Sequence, residues 1–302
     1  MKLSVVTSMY KSEAFVSEFH AAMSRVAGLI TGDVEFIFVD DGSPDRSARI
    51  VEDLIRIDPR VRLLQFSRNF GHSPAMLAGM SKARGDLVFT ADIDLEDPPD
   101  LLAQFHAIMT ADPAIQSVYG FMSRRQGTFL ERVTGKIFYT GMRMLSRDPI
   151  PHQTWSRLMT RQFLDSLLEY TEYHLFWSGL FHVVGFKQTG VPVVRTKTGV
   201  TSYSYAGKLS LAVSALTSFS AGPLYFIFLT GLLTCVISFL LAIFLIGMRL
   251  AGHLVPGWAS IIVAVLLMGG LTNLSIGLIG FYVGRIFIQS KNRPRFFIAR
   301  EL

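Results

Sequence analysis

Residues 86–100, DLVFTADIDLEDPPD, run from a short apolar strand straight into five carboxylates within nine residues: Asp92, Asp94, Glu96, Asp97 and Asp100. Three similar runs precede it, KLSVVTSMY from Lys2, VEFIFVDD from Val34 and VRLLQFS from Val61, and stretches of helical period separate them. That alternation predicts an α/β fold, a mostly parallel sheet with crossover helices. Open sheets of this kind bind ligands at the carboxyl ends of their strands. Asp40, Asp41, Asp92 and Asp94 all fall at such ends.

Clustered carboxylates repel one another unless a cation is shared. A hard dication such as Mg²⁺ or Mn²⁺ takes oxygen ligands from one or two carboxylates together with substrate phosphates. The pattern D-I-D at a strand end therefore suits a metal-bound diphosphate, with Asp97 and Asp100 left to serve a helix N-terminus. The expected helix starts are Asp97 as N-cap with Pro98 at the first position and Asp100 in the first turn, and Ser43 as N-cap with Pro44 following. No G-x-G-x-x-G or G-x-x-x-x-G-K-[ST] follows any strand, which argues against a dinucleotide fold and a P-loop.

Half of the 302 residues are hydrophobic, a large share for a soluble enzyme. Leu209 to Met248 is free of Asp, Glu, Lys and Arg for 40 residues, and Leu250 to Gly284 for another 35. About 20 apolar residues cross a bilayer, so two spans are expected, Pro223 to Met248 and Val255 to Val283. Residues 1–207 carry 22 basic and 22 acidic groups, whereas 208–302 carry seven and one, so the whole net charge of +6 flanks the spans. Lys208 precedes them and Arg285, Lys291, Arg293, Arg295 and Arg300 follow, which puts both ends in the cytoplasm. These charges suit anionic lipid headgroups better than nucleic acid. A signal peptide is not expected, and the lone Cys235 excludes an intrachain disulfide.

FVDDGSPDRS (38–47), SRNFGHSPAMLAG (67–79) and DIDLEDPP (92–99), in that order and spacing, resemble the family 2 glycosyltransferases of GT-A fold. The closer likeness is to the polyprenyl-phosphate branch, with dolichol-phosphate mannose synthase and the bacterial undecaprenyl-phosphate sugar transferases; it extends through LTSFSAGPL (216–224) to KNRPRFFI (291–298). The resemblance implies an inverting, metal-dependent enzyme moving one sugar from a nucleotide-diphosphate donor to a polyprenyl phosphate, held in the inner membrane with its catalytic domain in the cytosol. It implies that Asp41 binds the nucleotide, supported by Asp40, Glu13 and Tyr10. Asp92 and Asp94 would hold the metal, joined by Glu96 where many relatives carry Gln. Arg157, kept in the motif TWSRLM, is expected among the catalytic residues, and Arg68 would touch phosphate or sugar, a structural ion pair being the other reading.

The expected domains are a catalytic region (1–207), an amphipathic juxtamembrane helix (208–222), two transmembrane helices (223–283) and a basic tail (284–302). A second interfacial helix is expected at 128–146, where apolar residues at helical spacing adjoin a basic face. Arg132, Lys136 and Arg124 either clamp the acceptor phosphate or form a solvated face. Two departures from the family pattern stand out: Trp155 where relatives carry Asp, and Ser202 where they carry Lys. A phosphate acceptor is already largely dianionic at neutral pH and needs no general base. The competing readings are a sugar hydroxyl on a glycolipid as acceptor and a non-catalytic nucleotide-binding scaffold. His72 and His152 read as structural, and Gly280 and Gly284 form a G-x-x-x-G suited to a homo-oligomer.

Overall fold

The structure is a computed structural model that describes residues 1–122, 153–173, 175, 177–194, 222–251 and 257–302. The chain forms two compact units, one of Met1–Tyr139, Asp148–Ser204 and Arg293–Leu302, the other of Thr140–Arg147 and Tyr205–Asn292. The predicted helix at 128–146, the amphipathic segment before Gly222, Arg124, Arg132, Lys136, His152 and Ser202 lie outside the described residues.

The first unit is an eight-stranded mixed sheet. Its strands are β1 (Leu3–Met9), β2 (Val34–Asp40), β3 (Val61–Phe66), β4 (Leu87–Thr90), β5 (Ser117–Met122), β6 (Gln153–Thr160), β7 (Gln188–Val193) and β8 (Ile298–Glu301), in the order β7-β5-β6-β4-β1-β2-β3-β8. Strands β3, β2, β1 and β4 are parallel, in register Val6 to Ile37 and Val6 to Thr90. All seven residues of β1 and of β2 are buried, as expected of central strands covered on both faces. Helices α1 (Val16–Gly28), α2 (Ser47–Ile57) and α3 (His72–Lys82) make the crossovers, and α4 (Leu101–Ala111) leads from β4 to β5. Helices α5 (Arg161–Leu168) and α6 (Trp177–Val183) complete the unit. The predicted α/β class and its four strands are all present.

Both expected helix starts move toward the C-terminus. Helix α4 begins at Leu101 with Asp100 as N-cap, and α2 begins at Ser47 with Arg46 as N-cap; neither cap makes a side-chain hydrogen bond. Asp97 is instead buried and accepts from Ser156 Oγ at 2.7 Å. Ser43 pins the turn after β2: its amide donates to Asp40 Oδ1 at 3.1 Å, and its hydroxyl accepts from the Lys11 amide at 3.2 Å. Tertiary partners within reach outcompete the local cap in both places.

In the second unit, α7 (Gly222–Leu250) and α8 (Trp258–Ser290) are 29 and 33 residues long. Phe228, Leu232, Phe239 and Ile243 on α7, and Val265, Leu274, Ile276 and Ile279 on α8, are exposed. A helix apolar on every face belongs in a core or in lipid. Among the described residues, one stretch, Met268–Ser290, is long and apolar enough to cross a membrane by length and composition. Helix α8 runs seven residues past the expected end of the span and takes in Arg285. Within the expected basic tail, Ile298–Glu301 is strand β8, antiparallel to the edge of β3.

Candidate active site

The turn after β2 and the loop after β3 are built as one piece. Asp40 is fully buried, and besides the Ser43 amide it accepts from Gln65 Nε2 at 3.1 Å. Asp41 accepts from the Phe70 amide at 2.6 Å through Oδ1 and from the Gly71 amide at 2.9 Å through Oδ2. Burial pushes the Asp41 carboxyl above its ordinary range, against the pull of those two amides, and the neighbouring Asp40 adds to the rise. Gly42 follows at φ 67°, and a Cβ there would sit 2.5 Å from the Arg68 carbonyl carbon. Close backbone approach and a left-handed φ both require glycine at this position. The expected nucleotide residue Asp41 thus spends both oxygens on holding the R-N-F-G loop.

The loop after β1 joins the same assembly. Glu13 Oε2 accepts from the Arg46 amide at 3.1 Å, and the Glu13 amide donates to Asp45 Oδ2 at 3.2 Å. Tyr10 directly follows β1 and is 45% exposed, with the Lys11 ammonium 5.5 Å from its ring centroid. Asp40, Asp41, Glu13 and Tyr10 therefore gather around the carboxyl ends of β1 and β2.

Beyond β4 the chain turns through Leu95 at φ 56°, and the Glu96 amide donates back to Asp94 Oδ1 at 3.1 Å. Asp92 Oδ1 lies 3.6 Å from His72 Nε2. The other ring nitrogen, Nδ1, is hydrogen-bonded to Ser8 Oγ at 2.7 Å. Burial lowers the His72 pKa to about 4, with the Asp94 charge pulling upward. Trp155 meets the imidazole edge-on at 4.7 Å and Trp177 at 5.7 Å. The sequence reading set His72 aside as structural; the structure places it on the acidic turn. Its position in the loop after β3, a strand whose carboxyl end faces the same rim, was the available signal.

Among the described residues no three Asp, Glu, His or Cys side chains converge as a metal cluster. The expected ligands Asp92, Asp94 and Glu96 form no such group there, and the Glu96 amide donates to Asp94 Oδ1 within the turn. A hard cation held mainly by substrate phosphates asks for only one or two carboxylates, and Asp92 and Asp94 fit that smaller demand.

Arg157 does not join the site. It is fully buried on β6, donating through Nη1 to Ser117 Oγ and Gln188 Oε1, both at 2.7 Å, and through Nη2 to Gln153 Oε1 at 2.6 Å. Its guanidinium lies 3.9 Å from the Phe181 ring centroid and 4.6 Å from that of Tyr119. Burial lowers its pKa to about 9. These partners make Arg157 a cross-link of β5, β6 and β7. Among the described residues Arg68 makes no ion pair; it donates to Asn69 O at 2.9 Å and lies 4.0 Å over the Phe70 ring.

The family model described as Glycosyl transferase family 2 matches residues 4–169. A protein of Mycobacterium tuberculosis (strain CDC 1551 / Oshkosh), described as a glycosyltransferase, is 42% identical over 311 residues, covering 99% of this chain and 88% of its own. The bactoprenol glucosyl transferase of Shigella phage SfV is 33% identical over 306 residues, covering 100% and 99%. Among solved structures, the glucosyl-3-phosphoglycerate synthase of Mycobacterium tuberculosis in complex with uridine diphosphate is similar at 20% identity and a TM-score of 0.49, covering 72% of this chain and 79% of that one.

Proposed function

The chain belongs to glycosyl transferase family 2, and on that premise we propose that it moves a single sugar from a nucleotide-diphosphate sugar to a polyprenyl phosphate. The observation that carries this reading is end-to-end similarity to a bactoprenol glucosyl transferase, over 100% of this chain and 99% of the relative. Similarity over both full lengths takes in the helical unit as well as the catalytic one, and it is the helical unit that suits a lipid acceptor.

In the proposed reaction an oxygen of the lipid phosphate attacks the anomeric carbon opposite the donor diphosphate. One carbon–oxygen bond forms as the bond to the leaving diphosphate breaks, so the configuration inverts. Asp92 and Asp94 would hold Mg²⁺ or Mn²⁺, which supplies positive charge for the departing nucleotide diphosphate. His72, anchored by Ser8, stands 3.6 Å from Asp92 and would help to set its position. Asp41 sets the R-N-F-G loop beside the nucleotide. Trp155 supplies no base, and a phosphomonoester with second pKa of about 6 requires none; what remains is positioning.

Integral membrane attachment is part of the proposal. Arg293–Leu302 belongs to the same unit as Met1–Tyr139, and the Leu63 and Leu302 backbones exchange hydrogen bonds at 2.9 Å. A folded unit occupies one side of a bilayer, so the chain between must cross an even number of times. Helices α7 and α8 would supply two such crossings, and the flanking basic residues favour the cytosolic side.

The acceptor is tested by the chemistry of the product. A sugar joined to a lipid phosphate is a glycosyl phosphodiester and is released by mild acid; a glycoside made on a hydroxyl survives the same treatment. Acid-stable product would transfer the reading to a glycolipid acceptor.

A further inference from the structure

We propose that the cleft between Arg68 and Arg295 is a binding site for an organic phosphate. The cleft has a volume of about 280 Å³ and is lined by Arg68, Asn69, Phe70, Pro74, Tyr173 and Arg295. It rests on the proposed function only for the choice of lipid probe.

Three separate parts of the first unit build it: the loop after β3, the segment after α5, and the C-terminal strap that ends in β8. The strap is held firmly. Phe296 stacks on Phe66 with centroids 5.0 Å apart and planes within 10°, Phe297 packs on Phe70 at 6.2 Å, and the Ser67 amide donates to Phe297 O at 3.0 Å. Those contacts fix the residue just before them, Arg295, opposite the Arg68 loop. The loop is itself clamped by Asp41.

Neither guanidinium is in an ion pair with a carboxylate among the described residues. Glu172 stands near enough to Arg295 to feel its charge, and Asp41 near enough to Arg68, yet neither is within salt-bridge distance. Both arginines line one cleft, and an oxyanion bound there would be shared between two cations. Arginine is the cation suited to this, because its planar fork matches the oxygens of a phosphate. The volume exceeds that of one phosphate group, and Phe70, Pro74 and Tyr173 offer apolar edges to whatever carries it. Free inorganic phosphate would leave those edges unused.

The test is equilibrium binding to the full chain in detergent micelles, with undecaprenyl phosphate, undecaprenol, uridine diphosphate and guanosine diphosphate as probes. Arg295→Ala, and Arg295→Gln with more of the stem kept, should weaken a phosphate-bearing probe at least tenfold and leave undecaprenol unchanged; Arg295→Lys should recover part of the loss. Loss confined to undecaprenyl phosphate names the acceptor as the source of the phosphate, and loss confined to a nucleotide names the donor. Unchanged affinity for every phosphate, or equal weakening of undecaprenol, overturns the site. Binding is read without turnover, so failed sugar transfer with intact, Arg295-dependent phosphate binding would count against the proposed function alone.

Discussion

His72 Nε2 faces Asp92 Oδ1 at 3.6 Å, on a ring whose Nδ1 is tied to Ser8 at 2.7 Å. Ser8 lies on β1, His72 opens α3 and Asp92 follows β4, so three elements of the sheet converge on one carboxylate. In the proposed metal-dependent transfer His72 is a positioning residue. Groups that orient a metal ligand are worth 10- to 100-fold in metal affinity. His72→Ala should therefore raise the Mn²⁺ concentration for half-maximal transfer by about tenfold, with the KM for lipid unchanged. A metal titration of the variant checks this, and an unaltered midpoint would remove His72 from the site.

Arg157 should behave as a structural residue. Its partners Ser117, Gln153 and Gln188 are left without their donor when it is truncated. Leaving a buried polar group unsatisfied costs about 1–3 kcal/mol. Arg157→Met should lower the melting temperature sharply, and whatever folded fraction remains should keep its KM values. A fully stable variant with a collapsed kcat would instead restore the catalytic assignment.

Gly42→Ala combines a left-handed φ with a Cβ placed 2.5 Å from the Arg68 carbonyl carbon. Strain at such a position costs about 1–3 kcal/mol, and the clash pushes on the loop that Asp41 holds. Nucleotide affinity should fall more than tenfold, measured by isothermal titration, while the far-ultraviolet circular dichroism stays native.

Asp58 supplies an acid-sensitive contribution to stability. The Arg60 side chain holds its carboxyl far below the ordinary range against the opposing effect of burial, with the Arg60 amide and His20 assisting. A carboxyl with a depressed folded pKa stabilises the protein above its unfolded value of about 3.9 and loses that contribution as the pH falls below it. Asp58→Asn should cost about 2 kcal/mol at pH 7 and flatten the drop in melting temperature below pH 4. Melting curves from pH 3 to pH 7 decide the matter; parallel curves for the two proteins would contradict it.

The parallel half of the sheet was legible because β1 to β4 are largely buried and so read as short apolar runs, two of which, β2 and β4, run into acids. The other four strands were not. β8 is four residues, I-A-R-E, mostly exposed, and its pairing with β3 arises only when the chain returns from α8. The surroundings of Arg157 were not legible, because nothing local reveals that Ser117 and Gln188, 40 and 31 residues away, converge on it. The acids after β4 were legible as a group but not in their division. Asp97 is taken by Ser156, a contact across 59 residues, and Asp92 lies 3.6 Å from His72, the first residue of α3.

The most direct measurement is sugar transfer by the detergent-solubilised chain, supplied with undecaprenyl phosphate, Mg²⁺ or Mn²⁺ and a panel of radiolabelled nucleotide sugars. The predicted result is label moving into the organic phase from one donor, abolished by chelation of the metal and reduced at least 100-fold by Asp94→Asn. Transfer that persists in Asp94→Asn without metal, or no transfer from any donor while nucleotide still binds, would contradict it.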